Sequence, residues 1–182
     1  MEGTVLAKLH KHVIPWLFMV GLLCYLDRTN LSFGALQLNE DLRFTCAVYG
    51  FGAGIFFIGY AVFQVPLTAV AHRVDAATWL AFISLVWGLL TVALAFVKGP
   101  ASFYVVRFLL GVAESSTYPT MWAVLARFFA PAHMSSAYAR VCSCSTVAQV
   151  FGAPLAALIL GLTGFLGLRG WQWLFVIGGE SF

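Results

Sequence analysis

Charged residues are scarce in this sequence. Ten Lys or Arg and seven Asp or Glu make up 9% of its 182 residues, whereas 62% are hydrophobic. A soluble domain carries roughly a quarter of its residues as charges, so these few cannot cover a surface that faces water. The composition therefore excludes an ordinary soluble protein and predicts an integral membrane protein.

The sequence also lacks the patterns of several functional classes. Its basic residues are scattered and its net charge is only +3, which excludes the clustered surface of a nucleic-acid-binding protein. The four cysteines show neither CxxC spacing nor histidine partners, so we expect free thiols, no metal site and no cofactor. No HExxH or GxSxG motif indicates an intramembrane enzyme.

Long apolar runs are what the sequence does contain. A hydrocarbon core about 30 Å thick needs roughly 20 apolar helical residues, and five runs of that length precede the start of a sixth. The five runs cover residues 13–38, 47–71, 76–97, 102–129 and 136–168. We therefore predict an all-α membrane protein with a tail at residues 1–12, five transmembrane helices within 13–170, and a sixth helix that starts at 171 and is cut short at 182.

The distribution of basic residues between the ends of these runs predicts their orientation. With alternate crossings, five basic residues fall on the side of the amino terminus and three on the other side. The two sets are Lys8, Lys11, Arg73, Arg127 and Arg140, and Arg43, Lys98 and Arg169. Because cytoplasmic loops carry an excess of Lys and Arg, we expect a cytoplasmic amino terminus in a plasma or inner membrane.

Four charged residues fall inside the predicted spans. Asp27 and Arg28 lie in the first span, and Arg107 and Glu114 lie in the fourth. Each costs at least about 2.5 to 3.5 kcal/mol to insert, so such groups persist where they pair or line a wet cavity. Arg107 and Glu114 are seven residues apart, nearly two helical turns, and should share one face. Buried ion pairs that only fasten two helices together are the alternative interpretation.

The positions of these charges favour a transporter. Some transporter folds repeat three helices in inverted orientation, which makes the first and fourth spans equivalent around the substrate path. Other polar side chains would add hydrogen-bonding groups to the same cavity, namely Tyr25, Tyr60, Tyr118 and Gln149. Four glycines should let another helix approach the second span closely, and three prolines mark places where a helix bends. These are Gly50, Gly52, Gly54 and Gly59, and Pro66, Pro119 and Pro154.

Several motifs resemble a known family. Residues 25–30 (YLDRTN) and 51–60 (FGAGIFFIGY) are similar to the anion:cation symporter branch of the major facilitator superfamily. The likeness continues in residues 103–114 (FYVVRFLLGVAE), 152–155 (GAPL) and 170–175 (GWQWLF), and so covers nearly the whole chain. It implies the amino-terminal half of an alternating-access fold that transports small organic anions, such as sugar acids, aromatic acids or dicarboxylates, coupled to protons or another cation.

The resemblance also implies roles for the buried charges. Family members commonly use the acidic residues of these two helices for proton coupling, which corresponds here to Asp27 and Glu114. They use the arginines for the anionic substrate, which corresponds to Arg28 and Arg107. The expected partners are therefore a small organic anion, protons and the lipid bilayer, with a carboxy-terminal half completing the transporter.

The chain departs from the family in two respects. The loop at residues 72–79 reads HRVDAATW where the branch usually has HRVGARRW, and Ser135 and Ser136 stand where arginine is expected, which puts the gating role of these loops in doubt. The superfamily uses twelve helices, whereas this sequence stops within the sixth, so we expect a truncated product or a partial sequence. A fragment without transport activity and a helix-packing accessory subunit remain alternatives.

Overall fold

The computed structural model describes residues 2–164 and 167–180, with side chains described for 11–164 and 167–179. The described chain folds into helices joined by short connections. The helices are α1 (Glu2–Leu42), α2 (Cys46–Ala71), α3 (Ala76–Leu94), α4 (Pro100–Glu114), α5 (Thr117–Phe128), α6 (Pro131–Leu160) and α7 (Gly170–Glu180). Their succession confirms the predicted all-α class. The expected stop of the sixth helix at 182 lies outside the described residues.

Three of these helices, α2, α3 and α6, are long and apolar enough to cross a membrane by themselves. Helix α1 is longer still, with 41 residues, and contains the charged pair of the first predicted span. The fourth predicted span differs from the prediction of one continuous helix, because α4 and α5 divide it at Ser115 and Ser116.

Pro119 explains the division between α4 and α5. Proline has no amide hydrogen, and its ring collides with the carbonyl four residues earlier, which here belongs to Ser115. Pro119 thus leaves the carbonyl of Ser115 without its helical donor. The amide of Ser115 bonds to the carbonyl of Val112, three residues earlier, at 3.2 Å, and the regular pattern resumes where the amide of Thr120 bonds to the carbonyl of Ser116 at 3.0 Å. The sequence thus bends the helix one residue after Glu114.

The packing of the helices follows an exchange between the two groups of three spans. The most extensive contacts join α2 to α4 and α1 to α6, and α3 packs on α7. Spans one to six are α1, α2, α3, α4–α5, α6 and α7. Exchanging each of the first three spans with the span three places later turns the contact of α2 with α4 into the contact of α6 with α1, and leaves the contact of α3 with α7 unchanged. This is the pattern expected for an inverted repeat, and it sets α1 and α4–α5 in equivalent places.

Two of the four glycines in α2 perform the predicted packing role. A side chain at Gly59 would collide with the carbonyl of Phe108, and one at Gly52 would collide with the ring of Phe103, so both glycines let α4 approach. The other two, Gly50 and Gly54, face open space. The close contact of α2 with α4 brings Phe56 against the backbone of α4 and thereby fixes one wall of the site described below.

One end of the bundle is held by polar contacts between α1, α3 and α7. Asp41 of α1 accepts a hydrogen bond from the Trp171 indole at 2.6 Å and pairs with Arg169. Gln37 accepts from the backbone amide of Trp171 at 3.1 Å, and Gln172 donates to the carbonyl of Ala95 at 2.8 Å. These contacts, which we call the end clamp, join the first helix to the last one described.

Candidate functional site

The four charged residues predicted inside the membrane meet between α1 and α4. Asp27 and Arg107 are each 3% exposed and Glu114 is fully buried, whereas the side chain of Arg28 is 27% exposed. Their formal charges sum to zero, so the cluster is neutral when all four groups are ionised. We call these four residues the charge cluster.

Arg28 and Glu114 form the direct ion pair of the cluster. Arg28 Nε donates to Glu114 Oε2 at 2.9 Å, which joins α1 to the end of α4. The guanidinium also lies over the aromatic rings of Tyr60 at 4.7 Å, Phe56 at 5.5 Å and Tyr118 at 5.6 Å. Aromatic faces stabilise a cation that has lost part of its water, so Arg28 is held in a partly exposed aromatic cage.

Glu114 has a second neighbour that the sequence did not indicate. The thiol of Cys24, also fully buried, donates to the same Oε2 at 3.4 Å, a weak hydrogen bond. Cys24 lies one helical turn before Arg28 on α1, so both reach the same carboxylate. The apolar character of its surroundings predicted only a packing role for this cysteine.

Asp27 points to a different helix from Arg28. Its Oδ1 accepts a hydrogen bond of 2.9 Å from the hydroxyl of Thr91 on α3, and Thr91 is itself fully buried. Glu114 and Arg107 lie within electrostatic range of Asp27. A threonine within an apolar helix was the available signal for this contact, but such residues are too common to identify a site.

Arg107 has no carboxylate within hydrogen-bonding distance among the described residues. Its guanidinium carbon lies 4.6 Å from the centre of the Phe56 ring, which belongs to α2. The same ring lies near Arg28 of α1. Asp27 and Glu114 act on it only at longer range. Phe56 therefore lies against both arginines, a role that the sequence analysis missed because it considered only the glycines of this segment.

Each member of the charge cluster retains an unused polar atom. Four buried atoms of the cluster, one on each residue, have no hydrogen-bond partner among the described residues: Asp27 Oδ2, Arg28 Nη2, Arg107 Nε and Glu114 Oε1. Buried polar atoms are ordinarily paired, so an unpaired set at one place indicates a site that binds something else. Two unused donors and two unused acceptors suit an anion together with a proton or another cation.

The remaining predicted side chains divide between the cluster and its surroundings. Tyr60 and Tyr118 contact Arg28, as described above. Tyr25 is half-buried on α1, and the described contacts do not connect its hydroxyl to the charge cluster. The Gln149 side chain is exposed and donates to the carbonyl of Ser145 on its own helix at 3.2 Å, away from the cluster.

A further cavity lies away from the charge cluster. It has a volume of about 800 Å³ and is lined by the end of α1, the connection between α2 and α3, and the second half of α5. Its polar side chains include His12, His72, Asp75 and Arg127. These residues place the cavity at the end of the bundle where α1 begins.

Comparison with known proteins identifies the class of molecule. The profile of the Major Facilitator Superfamily matches residues 17–179. An Agrobacterium vitis protein named for tartrate transport is 39% identical over 177 residues, and the quinolone resistance transporter of Acinetobacter baumannii is 38% identical over 178. Each match covers at least 97% of this chain and 41% of the relative. These relatives are transporters rather than enzymes.

A solved structure shows the same fold. A bacterial homologue of the human lysosomal transporter Spinster, in an inward-facing and occupied conformation, superposes with a TM-score of 0.86 at 19% identity. The match covers 93% of this chain and 41% of that one, so the present sequence spans somewhat less than half of the proteins it resembles. The chain is a multi-pass membrane protein, and with the family profile matching most of its length it belongs to the Major Facilitator Superfamily.

Proposed function

We propose that the chain is the amino-terminal part of a proton-coupled transporter for a small organic anion. The observation that carries this proposal is the unequal pairing of the two arginines: Arg28 is bound to Glu114, whereas Arg107 is buried without a carboxylate bound to it. A buried guanidinium stays charged and binds a carboxylate through two parallel hydrogen bonds. An anion that enters the cluster can therefore bind Arg107 directly, whereas it must compete with Glu114 to bind Arg28.

The relatives support an organic anion as substrate. The Agrobacterium vitis protein is named for transport of tartrate, which carries two carboxylates. A Pseudomonas putida protein, 39% identical over 172 residues, is named for metabolite transport. We assign the first substrate carboxylate to Arg107 and the second polar group to Arg28, with Tyr60 against Arg28. Tyr25, on the same helix as Arg28, stays a predicted substrate contact.

Competition for Arg28 would couple the anion to a proton. Glu114 is fully buried, and as an ion it depends on the hydrogen bond from Arg28. An anion that draws Arg28 away leaves the carboxylate of Glu114 with only the weak thiol bond of Cys24, so Glu114 takes up a proton. Since binding of the anion favours the proton, the proton must favour the anion by the same factor. Asp27 serves as the partner or as a second proton site.

The orientation of the chain belongs to the same proposal. If the amino terminus is cytoplasmic, the cavity of about 800 Å³ lies at the cytoplasmic end of the bundle. This chain would then supply one wall of the substrate path between the charge cluster and the cytoplasm. A complete transporter, by which we mean a protein that carries this segment as its first half, would close that path with the second half.

Proton uptake on anion binding provides the test. The 182-residue chain is titrated with tartrate in weakly buffered detergent while a pH indicator reports protons, and anion affinity is measured in parallel. We expect uptake of about one proton per bound anion, absent in Glu114→Gln, and a loss of affinity in Arg107→Gln. Binding without proton exchange would remove the coupling assignment. Absence of any anion binding would favour the inert-fragment or accessory-subunit interpretation.

A further inference from the structure

The cavity of about 800 Å³ at the end of the bundle where α1 begins has a polar mouth and an apolar floor. We call it the end cavity, and none of the residues that line it belongs to the charge cluster. Its charged and imidazole side chains are exposed, whereas its deepest lining residues are buried. The exposed set is His12, His72, Asp75 and Arg127, and the buried set is Ala71, Thr120 and Val124.

The interior of the end cavity suits an apolar group, because its hydroxyl donors are already used by the protein. The buried hydroxyl of Thr120 donates to the carbonyl of Ser116 at 2.7 Å. The half-buried hydroxyl of Thr68 donates to the carbonyl of Gln64 at 2.5 Å. The other residues between mouth and floor are apolar, and Trp16 is the largest of them. A polar group that entered this interior would lose its water without gaining a donor, which costs free energy.

The mouth of the end cavity suits an anion. Asp75 is the one acidic residue among the described residues that line it, and its Oδ2 accepts hydrogen bonds from the amide and the hydroxyl of Thr78 at 3.1 and 3.3 Å. Arg127 lies within electrostatic range of Asp75 but forms no ion pair with the described carboxylates. The guanidinium of Arg127 is therefore available to bind an anion, and the imidazoles of His12 and His72 add hydrogen-bond donors beside it.

We propose that the end cavity binds an anionic amphiphile, a molecule with one carboxylate or phosphate head and an apolar tail. The head binds Arg127 at the mouth, and the tail packs against Trp16 and Val124. A volume of about 800 Å³ lies within the roughly 300–1,000 Å³ of small-molecule sites. A small polar anion would leave the interior unfilled, and a neutral apolar molecule would not use the charge at the mouth. The ligand is either a soluble organic anion with an apolar tail or an anionic phospholipid of the surrounding bilayer.

Two neighbouring residues of α5 allow the head and the tail of the ligand to be tested separately. Arg127→Gln removes the charge at the mouth, and Ala126→Phe places a ring in the cavity. The matched controls lie at the same end of the bundle without lining the cavity: Arg73→Gln between α2 and α3, and Ala69→Phe on α2. All four side chains are exposed, so these substitutions should leave the folding of the bundle intact.

The test is isothermal titration of the 182-residue chain with octanoate in phosphatidylcholine nanodiscs. Empty nanodiscs provide the blank, and excess tartrate occupies the charge cluster. We expect about one octanoate per chain, with an affinity lower by about tenfold or more in Arg127→Gln, which loses a charge-assisted hydrogen bond, and in Ala126→Phe, whose ring takes the place of the tail. Arg73→Gln and Ala69→Phe should bind like the parent.

Two further titrations identify the parts and the source of the ligand. Octanol keeps the tail but lacks the charge, so it should bind the parent more weakly than octanoate does, and Arg127→Gln should not change its affinity. Phosphatidylglycerol added to the nanodiscs should lower the apparent affinity for octanoate if the occupant is a membrane lipid. An unchanged affinity assigns the site to a soluble organic anion.

Equal octanoate affinity in the parent, Arg127→Gln and Ala126→Phe would overturn the proposal. So would a parent that takes up no more octanoate than empty nanodiscs. Arg107→Gln separates this inference from the proposed function, since it should lose tartrate affinity and keep the binding of octanoate. Octanoate binding that fails in Arg107→Gln but persists in Arg127→Gln would assign the ligand to the charge cluster and refute the end cavity site. A chain that binds octanoate as expected but no tartrate would refute the proposed function and leave this inference standing.

Discussion

Helices α1 and α4–α5 occupy equivalent positions in the repeat and carry the same two kinds of charge, yet they use them differently. In α1 the acid and the arginine are adjacent, so Asp27 bonds to α3 while Arg28 bonds to α4. In α4 they are seven residues apart, and Glu114 ends the helix at the bend made by Pro119. The comparison teaches that the repeat fixes where polar groups stand, whereas local spacing decides which partner each one meets.

Replacing Glu114 should have the largest effect on this comparison. In a complete transporter, Glu114→Gln mimics the permanently protonated carboxyl, so the variant should bind and exchange substrate but no longer concentrate it. With the membrane potential clamped at zero, we expect the accumulation ratio in proteoliposomes under a proton gradient to fall to about one. Glu40→Gln, at the exposed end of α1, is the control and should accumulate like the parent.

The same assay shows which helix carries the coupled proton. Accumulation that persists in Glu114→Gln but fails in Asp27→Asn would move the proton from the fourth span to the first. The two equivalent positions would then have the reverse of the roles proposed here.

Arg107→Lys should have the next largest effect. Lysine keeps the charge but lacks the planar pair of donors, so the affinity for a dicarboxylate should fall by about tenfold or more, the cost of losing one charge-assisted hydrogen bond. Isothermal titration of the 182-residue chain measures it. Arg140→Lys, on the exposed face of α6, is the matched control. Unchanged affinity in both Arg107→Lys and Arg107→Gln would remove Arg107 from the binding site.

Pro119→Ala tests whether the division of the fourth span matters. Alanine supplies an amide for the carbonyl of Ser115, so α4 and α5 should merge, the midpoint of thermal unfolding should rise by a few degrees, and transport should slow. The readouts are thermal unfolding of the chain and turnover in a complete transporter. Pro154→Ala, at the proline inside the unbroken α6, controls for proline removal in general. Equal turnover of parent and Pro119→Ala would make the bend a packing feature only.

The smallest effect concerns the starts of α3 and α6, which differ in their caps. Asp75 caps α3 by accepting from the Thr78 amide at 3.1 Å, whereas Ala130 offers α6 no side-chain cap. These hydrogen bonds lower the pKa of Asp75, which in the unfolded chain is higher. Because the pKa of Asp75 is lower in the folded chain than in the unfolded chain, its ionised carboxylate stabilises the fold at pH values above the unfolded pKa. This stabilisation is lost as the pH falls through the folded pKa.

Asp75→Ala should therefore lower the unfolding midpoint slightly at neutral pH, and the difference from the parent should vanish in acid. Asp75→Asn keeps an oxygen that can cap the helix and should stay close to the parent at both pH values. A difference between Asp75→Ala and the parent that persists undiminished in acid would exclude the cap as its cause.

Sequence patterns predicted the spans and the charge cluster for a physical reason. Apolar runs and intramembrane charges are local signals with large free energies, so the approximate bounds of α2 and α3 and the presence of charged side chains inside the first and fourth spans follow from them. That Arg28 would pair with Glu114 was not predicted. The contributions of Cys24, Phe56 and Thr91 could not be predicted, because each depends on which face a neighbouring helix presents. Pro119 was recognised as a bend, but that the bend would end α4 immediately beyond Glu114 required the structure.

The end clamp has a consequence for biosynthesis. Asp41 is made long before its partners Arg169 and Trp171, and Arg28 enters the membrane well before Glu114. Until α4 leaves the ribosome, Arg28 lacks the carboxylate of Glu114, and α1 holds Asp27 and Arg28 inside the first span at a cost of at least about 2.5 to 3.5 kcal/mol each. Nascent chains arrested between α3 and α4 should therefore remain beside the translocon, whereas chains extended through α7 should be released into the bilayer.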